Sequence, residues 1–337
     1  MNTIPTTFNE MMMPSYTVIG GNEYLGSTGL SAVVLNRGRR YARRSLFEDM
    51  QKTGFDTVIS IEPPPVQYDI EDLSAQFPFV RFVLLKEPVS LGSQINLAVS
   101  ELETPLFFVL WNDMRFVAGG TAARMAERLT YRAGKQDKGA SRRLCTVPVI
   151  QSPRLETLPT LRVPVLPRKK EHTRGLSPSR EGLRSLYPFD GVGIYDRERF
   201  IRLCGFDWTI ANSYWQLMDF GFRAHLWGEE ISATRSLKLS YEISPPVEDT
   251  SFGADYHRFY LKNLAPVFRK DSAHLPLRRF PGFLMQARES FISACEDFSE
   301  GRRWVNTNRF RWKFDPRTVA GLWNTANADD GRRENSA

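Results

Sequence analysis

The chain has 337 residues, a net charge of +7, 42% hydrophobic residues and 25% charged residues. That balance excludes a disordered chain, a collagen, a coiled coil and a disulfide-stapled secreted module, and the length suffices to bury a sizeable core unaided. Three scattered cysteines, Cys145, Cys204 and Cys295, form no Cys-x-x-Cys or Cys/His spacing. A structural zinc is therefore not expected, and a reducing compartment is.

Residues 1–15 are polar and rich in methionine, lack the layout of a signal peptide, and read as a flexible leader. Tyr16–Ile19 and Ser31–Leu35 read as strands around GGNEYLGSTG. That stretch matches neither GxGxxG nor a Walker pattern, so a hairpin or flexible turn is expected before a phosphate loop. Arg43–Lys52 has helical spacing, with Leu46, Phe47 and Met50 on one face. Thr57–Ile61 is a buried-type strand ending at Glu62, and Phe79–Leu85 is another. Gln94–Leu102 reads as a helix and Pro105–Leu110 as a fully apolar strand. This alternation is that of an α/β fold: a mostly parallel sheet flanked by helices.

Ala122–Tyr131 reads as a helix and Cys145–Ile150 as a strand. Pro153–Arg180, rich in Pro, Arg and Lys, reads as a long loop. Its RKKEHTR (168–174) is first a solvated charge run and second a phosphate-facing lid. Glu198–Leu203 and Ser213–His225 read as helices. The expected organisation is a leader (1–15), a main domain (16–260), a helical, basic C-terminal extension (261–325) and a disordered tail (326–337). No apolar run approaches the ~18 residues needed to cross a bilayer.

The chemistry begins where the apolar strand 105–110 runs into Trp111-Asn112-Asp113. In open α/β sheets ligands gather beyond the carboxyl ends of strands, and a carboxylate there suits a hard divalent cation. Glu62 ends its strand in the same way. Each is equally an ordinary strand-end turn residue when taken alone.

Three blocks in order resemble the family 2 glycosyltransferases of the GT-A fold. SAVVLNR (31–37) followed by TVISIEP (57–63) resembles the opening strand, its Asn-Arg turn and a second strand ending in an acid that contacts the nucleotide base. LGSQINLAVSELETPLFFVLWND (91–113) resembles the Gly-x-x-x-Asn helix, here Gly92 and Asn96, leading into the metal-binding DxD. FDGVGIYDRERFIRLCGFDWTIANSYWQLMDFGFRAHLWG (189–228) resembles the acceptor-side block, with Gly205-Phe206-Asp207 and then Asp219-x-x-x-Arg223.

The resemblance implies a nucleotide-sugar donor, UDP-linked or similar, held by Asn36, Arg37, Glu62, Gly92, Asn96, Asn112 and Asp113. It implies Mn2+ or Mg2+ on Asp113, which would stabilise the leaving diphosphate as a Lewis acid. Gly205, Phe206, Asp207 and Arg223 fall on the acceptor side. His257 falls where some GT-A enzymes bring a late histidine to the metal, although a packed histidine is the plainer reading, as it is for His225. Two departures stand out: Trp111 replaces the first aspartate of the DxD, and Gln216-Leu217-Met218-Asp219 replaces Glu-Asp-x-Asp. The general base is left among Asp219, Asp190 and Glu229.

The implied activity is an inverting, metal-assisted transfer of a hexose to a carbohydrate or lipid-linked acceptor, in polysaccharide biosynthesis. A non-catalytic nucleotide-sugar- or glycan-binding relative is the alternative, and a nucleotidyltransferase is third. In RRWVNTNRFRWKF (302–314), period-two alternation places Phe310, Trp312 and Phe314 on one face. The first reading is an edge segment packing its aromatics on the core. The second is an interfacial patch on anionic lipid, suited to a cytoplasmic enzyme lying peripherally at the inner membrane face. No RNA-binding motif is present, so nucleic acid is not an expected partner.

Overall fold

Strands β2 (Leu30–Leu35), β3 (Val58–Glu62) and β5 (Leu106–Trp111) are buried along their whole length, which is the mark of a sheet covered on both faces. They form the centre of a nine-stranded sheet in a computed structural model. It describes residues 13–37, 42–65, 69–118, 120–134, 143–165, 173–287 and 290–323. The remaining strands of this sheet are β1 (Tyr16–Gly20), β4 (Val80–Leu85), β6 (Met114–Ala118), β7 (Cys145–Gln151), β10 (Gly193–Asp196) and β11 (Ile231–Tyr241). The order is β1-β4-β3-β2-β5-β10-β7-β11-β6. β2, β3, β4, β5, β7 and β11 run one way, and β1, β6 and β10 run against them, so the sheet is mostly parallel.

Helices α1 (Ala42–Thr53), α2 (Ile70–Gln76), α3 (Leu91–Ser100), α4 (Ala122–Gly134), α5 (Arg197–Arg202) and α6 (Ser213–Leu226) flank it. Residues Tyr214–Leu226 of α6 are all buried. α6 lies against α3 on one side, and against α7 (Ala254–Phe259), its π-helical continuation Tyr260–Leu264 and α10 (Pro316–Gly321) on others. A helix that is wrapped in this way reads as hydrophobic nearly all round. The C-terminal layer is completed by α8 (Phe280–Ala287), α9 (Phe291–Thr307) and the short hairpin of β12 (Val267–Arg269) and β13 (Ser272–His274).

Three expectations are corrected. GGNEYLGSTG is not a hairpin loop, because β1 pairs antiparallel with β4 at the sheet edge. Nor is it a phosphate cradle at its end: the Asp56 carboxylate accepts the Gly29 N–H at 2.7 Å and the Thr28 hydroxyl at 2.8 Å. The long loop 153–180 contains the hairpin of β8 (Leu161–Pro164) and β9 (Thr173–Leu176), while residues 166–172, most of RKKEHTR, lie outside the described residues. β6, β10 and β11 went unread; β11 shifts register between Ala233 and Lys238, where Thr-Arg-Ser breaks the apolar run. Finally, 309–314 is no strand. Trp312 is buried and Phe310 is 72% exposed, and the Lys313 and Phe314 N–H groups donate to the Leu226 carbonyl at the end of α6. The segment therefore caps one orphan carbonyl of that helix, that of Leu226. Residues 1–12 of the expected leader 1–15, and the tail 326–337, lie outside the described residues.

Candidate active site

Parallel pairing sets Leu35 of β2 opposite Trp111 of β5. The residues just beyond, Asn36-Arg37 and Asn112-Asp113, therefore emerge side by side at the carboxyl end of the sheet. β10 runs antiparallel to β5 from Gly193 opposite Val109, so the turn before it, Phe189–Gly191, sits over the same end. Asp190 in that turn has φ +56°, and the Tyr195 hydroxyl fastens the turn by donating to the Gly191 carbonyl at 2.6 Å. A non-glycine residue held left-handed is strained, and such residues gather at functional sites.

Arg37 joins these pieces. Its Nε donates to Asp113 Oδ2 at 3.0 Å and its Nη2 to Asp113 Oδ1 at 3.3 Å, while Nη2 also reaches Asp190 Oδ2 at 2.8 Å. The guanidinium lies 4.1 Å from the centre of the Trp111 ring. The Trp111 indole N–H donates to the Asp190 carbonyl at 3.0 Å, the Tyr241 hydroxyl donates to Asp190 Oδ2 at 2.9 Å, and Asn112 Oδ1 accepts the Arg37 backbone N–H at 3.0 Å. Burial disfavours the charge on Arg37, but Asp190 and Asp113 outweigh it and raise its pKa. For Asp190 burial wins: despite Arg37 and Tyr241 its pKa is pushed up to about 6.

A cavity of about 420 Å³ opens in front of this cluster. Arg37, Trp111 and Asp190 line its sheet side, and Ser213 and Tyr214 of α6 with Glu248 line the other. Glu248, held by the Tyr187 hydroxyl at 2.9 Å and Arg162 at 2.8 Å, also has its pKa raised by burial. Nothing local in the sequence marks Glu248 or Tyr241, because the chain returns to the site only at the end of β11.

The other expected residues are placed elsewhere. Glu62 is buried on Arg43 at 2.7 Å and Ser60 at 2.7 Å, and the Asn36 amide reaches Ser60, Ile61 and Glu62. Asn36 Oδ1 is buried and without a partner among the described residues. Gly92 and Asn96 do not line the cavity. A Cβ on Gly92 would lie 2.3 Å from Phe206, and Asn96 pairs with both the N–H and the carbonyl of Phe206 at 2.9 and 2.8 Å. Asp219 is fully buried in α6, against Arg223 at 2.8 Å, Asn263 at 2.7 Å and Lys262 at 3.3 Å. Phe206, Asp207 and Arg223 line a separate cavity of about 200 Å³ facing the C-terminal layer. There burial pushes the Asp207 carboxyl up, but Lys262 and Thr209 outweigh it and hold it well below the usual range. Glu229 is tied to Arg199, and Gly205, with φ +56°, turns the chain into this region.

The implied divalent cation does not fit the residues present. Both Asp113 oxygens and Asp190 Oδ2 already bind the Arg37 guanidinium, and Asn112 Oδ1 is taken by the Arg37 N–H. Among the described residues no group of three or more His, Cys, Asp and Glu could hold a metal. The His257 ring packs on Phe283 of α8 and on Tyr256, in the C-terminal layer. His225 is a packed histidine: buried against Trp323 with Nε2 on the Ser185 carbonyl, its pKa is lowered by burial to about 4.

No protein-family model and no curated protein sequence matches the chain. Solved structures do. GalNAc-T7 with UDP, GalNAc and Mn2+ matches with a TM-score of 0.52 at 10% identity, over 85% of this chain and 57% of that one. TarS of S. aureus matches at 0.46 and 12%, over 83% and 43%. The mannosyltransferase PcManGT of Pyrobaculum calidifontis with GDP-Man and Mn2+ matches at 0.45 and 9%, over 89% and 79%. The chain thus spans about half the length of the first two. Together with the sheet order and the strand-end cavity, the first match defines the class: a GT-A-like glycosyltransferase fold.

Proposed function

We propose that the protein transfers a sugar from a nucleotide-sugar to a hydroxyl acceptor in the cavity between Arg37 and the start of α6, with Asp190 as general base. The observation that carries this reading is Asp190 itself, a strained, buried carboxyl with a pKa near 6 that faces a strand-end cavity in a glycosyltransferase fold. A base poised near working pH is what deprotonation of a sugar hydroxyl needs. Both bonds to its carboxylate fall on Oδ2, and no partner reaches Oδ1 among the described residues. In a single displacement Oδ1 takes the acceptor proton as the acceptor oxygen bonds to the anomeric carbon. The bond from that carbon to the diphosphate breaks, its electron pair leaves with the nucleoside diphosphate, and the anomeric configuration inverts.

The surface supports a lipid-linked acceptor. No helix among the described residues is long and apolar enough to cross a membrane. Yet Leu277, Met285, Phe291 and Ile292 are all more than three-fifths exposed, beside Arg278 and Arg279. The Phe280 and Phe291 rings meet at 6.0 Å, so the starts of α8 and α9 lie side by side. An apolar patch with flanking cations fits an anionic bilayer, and hence a lipid-linked acceptor.

The test is product analysis: the protein is incubated with a panel of nucleotide-sugars and polyprenyl-phosphate-linked acceptors, and nucleoside diphosphate release and glycosylated product are measured. Release with product, abolished by D190N, is the expected result. A second reading, binding without turnover, is favoured by Gln216, a buried cross-link where the family resemblance leads one to expect a carboxylate. Nucleotide-sugar binding with no release across the panel is its signature.

A further inference from the structure

The three residues Trp111-Asn112-Asp113 stand where the resemblance implies a metal site, and each of them holds Arg37 instead. We infer that the protein binds the diphosphate of its donor without a metal ion, through an Arg37 guanidinium clamped between Asp113 and Asp190. The inference rests on the reading that the donor is a nucleotide-sugar. Trp111 is here not a lost ligand but one wall of the arginine's slot: its ring covers the guanidinium at 4.1 Å and its N–H anchors the Asp190 turn. Asn112 Oδ1 fixes the Arg37 backbone, and Asp113 takes the fork through Nε and Nη2. Asp190 takes a second bond from Nη2.

Three of the available donor directions are thereby spent, and both N–H groups of Nη1 have no partner among the described residues. The Arg37 side chain remains 23% exposed and lines the cavity. A guanidinium whose free edge faces a cleft is matched to phosphoryl oxygens, to which it can donate two charge-assisted hydrogen bonds. A metal entering here would have to displace the arginine from two carboxylates. The clamp also couples the two halves of the reaction. When Asp190 takes the acceptor proton, Arg37 loses one of its ion-pair partners, so its charge becomes less shared as the diphosphate gains the electron pair. Electrostatic help is strongest where charge develops in the transition state.

The experiment is calorimetric titration of the full chain with ADP, CDP, GDP, UDP and TDP, in EDTA and in MnCl2. Wild type, R37K, R37Q and D113N are compared, with thermal unfolding of each variant to show that it is folded. The expected result is that at least one nucleoside diphosphate binds wild type in EDTA, with affinity changed less than about threefold by Mn2+. R37Q should then weaken binding at least tenfold, while R37K, which keeps the charge but not the fork, should weaken it less. Binding that requires Mn2+ and is lost in D113N would overturn the inference and leave the donor reading standing. Metal-free binding unchanged in both Arg37 variants would also overturn it. Absence of binding by every nucleotide under both conditions would overturn the donor reading itself.

Discussion

Asp190 carries a testable pH signature. Its pKa in the folded protein, about 6, lies above the ordinary value of 3.8. The folded state therefore binds the proton more tightly than the unfolded chain. The associated stability is fully present below about pH 3.8 and is lost as pH rises through 6. A shift of this size corresponds to about 3 kcal/mol. Between pH 4 and 6.5 the unfolding free energy of wild type should therefore fall relative to that of D190N, as measured by urea denaturation at several pH values. Activity should run the other way: kcat/KM rises with pH to a plateau above about 6, and D190N loses the limb together with roughly 10²–10⁴-fold of rate. A rate profile flat from pH 5 to 8 would remove Asp190 from the base role. Arg37 and Asp113 were legible as polar residues at strand ends, and Asp190 as a base candidate in the Phe-Asp-Gly turn. That they form one cluster was not, because Arg37 meets Asp113 across 76 positions and Tyr241 meets Asp190 across 51. Pairing over such distances is decided by strand register, which no local pattern encodes.

At the level of elements, α6 explains why the acceptor-side motif departs from the family pattern. Gln216 Oε1 accepts the Gly92 N–H at 2.7 Å, and its Nε2 donates to Ser90 Oγ at 2.9 Å and to the Asp207 carbonyl at 2.8 Å. A carboxylate could accept the first but donate neither of the others. The glutamine thus seals α3 to α6 and to the Gly205–Asp207 turn, with Gly92 allowing the close approach. G92A should overpack this junction and cost about 1–3 kcal/mol, read as a lower urea midpoint. Asp219 belongs to the same architecture, tying Arg223 and Asn263 together beneath the C-terminal layer. D219A leaves the buried Arg223 without its carboxylate, and a loss of about 3–5 kcal/mol is expected. If folded D219N keeps wild-type turnover, Asp219 is structural only; a rate loss with intact stability would restore it as a base. The fully buried strands were readable because their apolar runs match strand length, whereas β6, β10 and β8–β9 are too short or too polar to announce themselves. The GT-A-like order was readable because β2, β3 and β5 with their intervening helices carry it.

For the whole molecule, the net charge of +7 becomes informative only once the apolar surface is located. The sequence pointed to the aromatics at 309–314, but Trp312 is spent on the interior and the backbone of 313–314 caps α6. Phe310 stays exposed there, and a second group of exposed apolar side chains lies on α8 and α9, where Met285 is 78% and Ile292 71% exposed and Arg278 and Arg279 are solvent-facing. Hydrophobic insertion and electrostatic attraction make separable contributions, so they can be tested separately. Sedimentation with vesicles of 30% phosphatidylserine should capture the protein at low salt. R278E/R279E, and wild type on neutral vesicles, should bind more weakly than this at low salt, and raising the salt should weaken wild-type binding to anionic vesicles while changing theirs little, because screening removes only the charge contribution. M285S/F291S/I292S should bind weakly at every salt concentration while unfolding at the wild-type temperature, since exposed side chains contribute little to the core. Equal binding of wild type and the triple variant would show that this group on α8 and α9 does not meet the bilayer. The lipid-linked acceptor would then lose its support, while the donor cavity would be untouched.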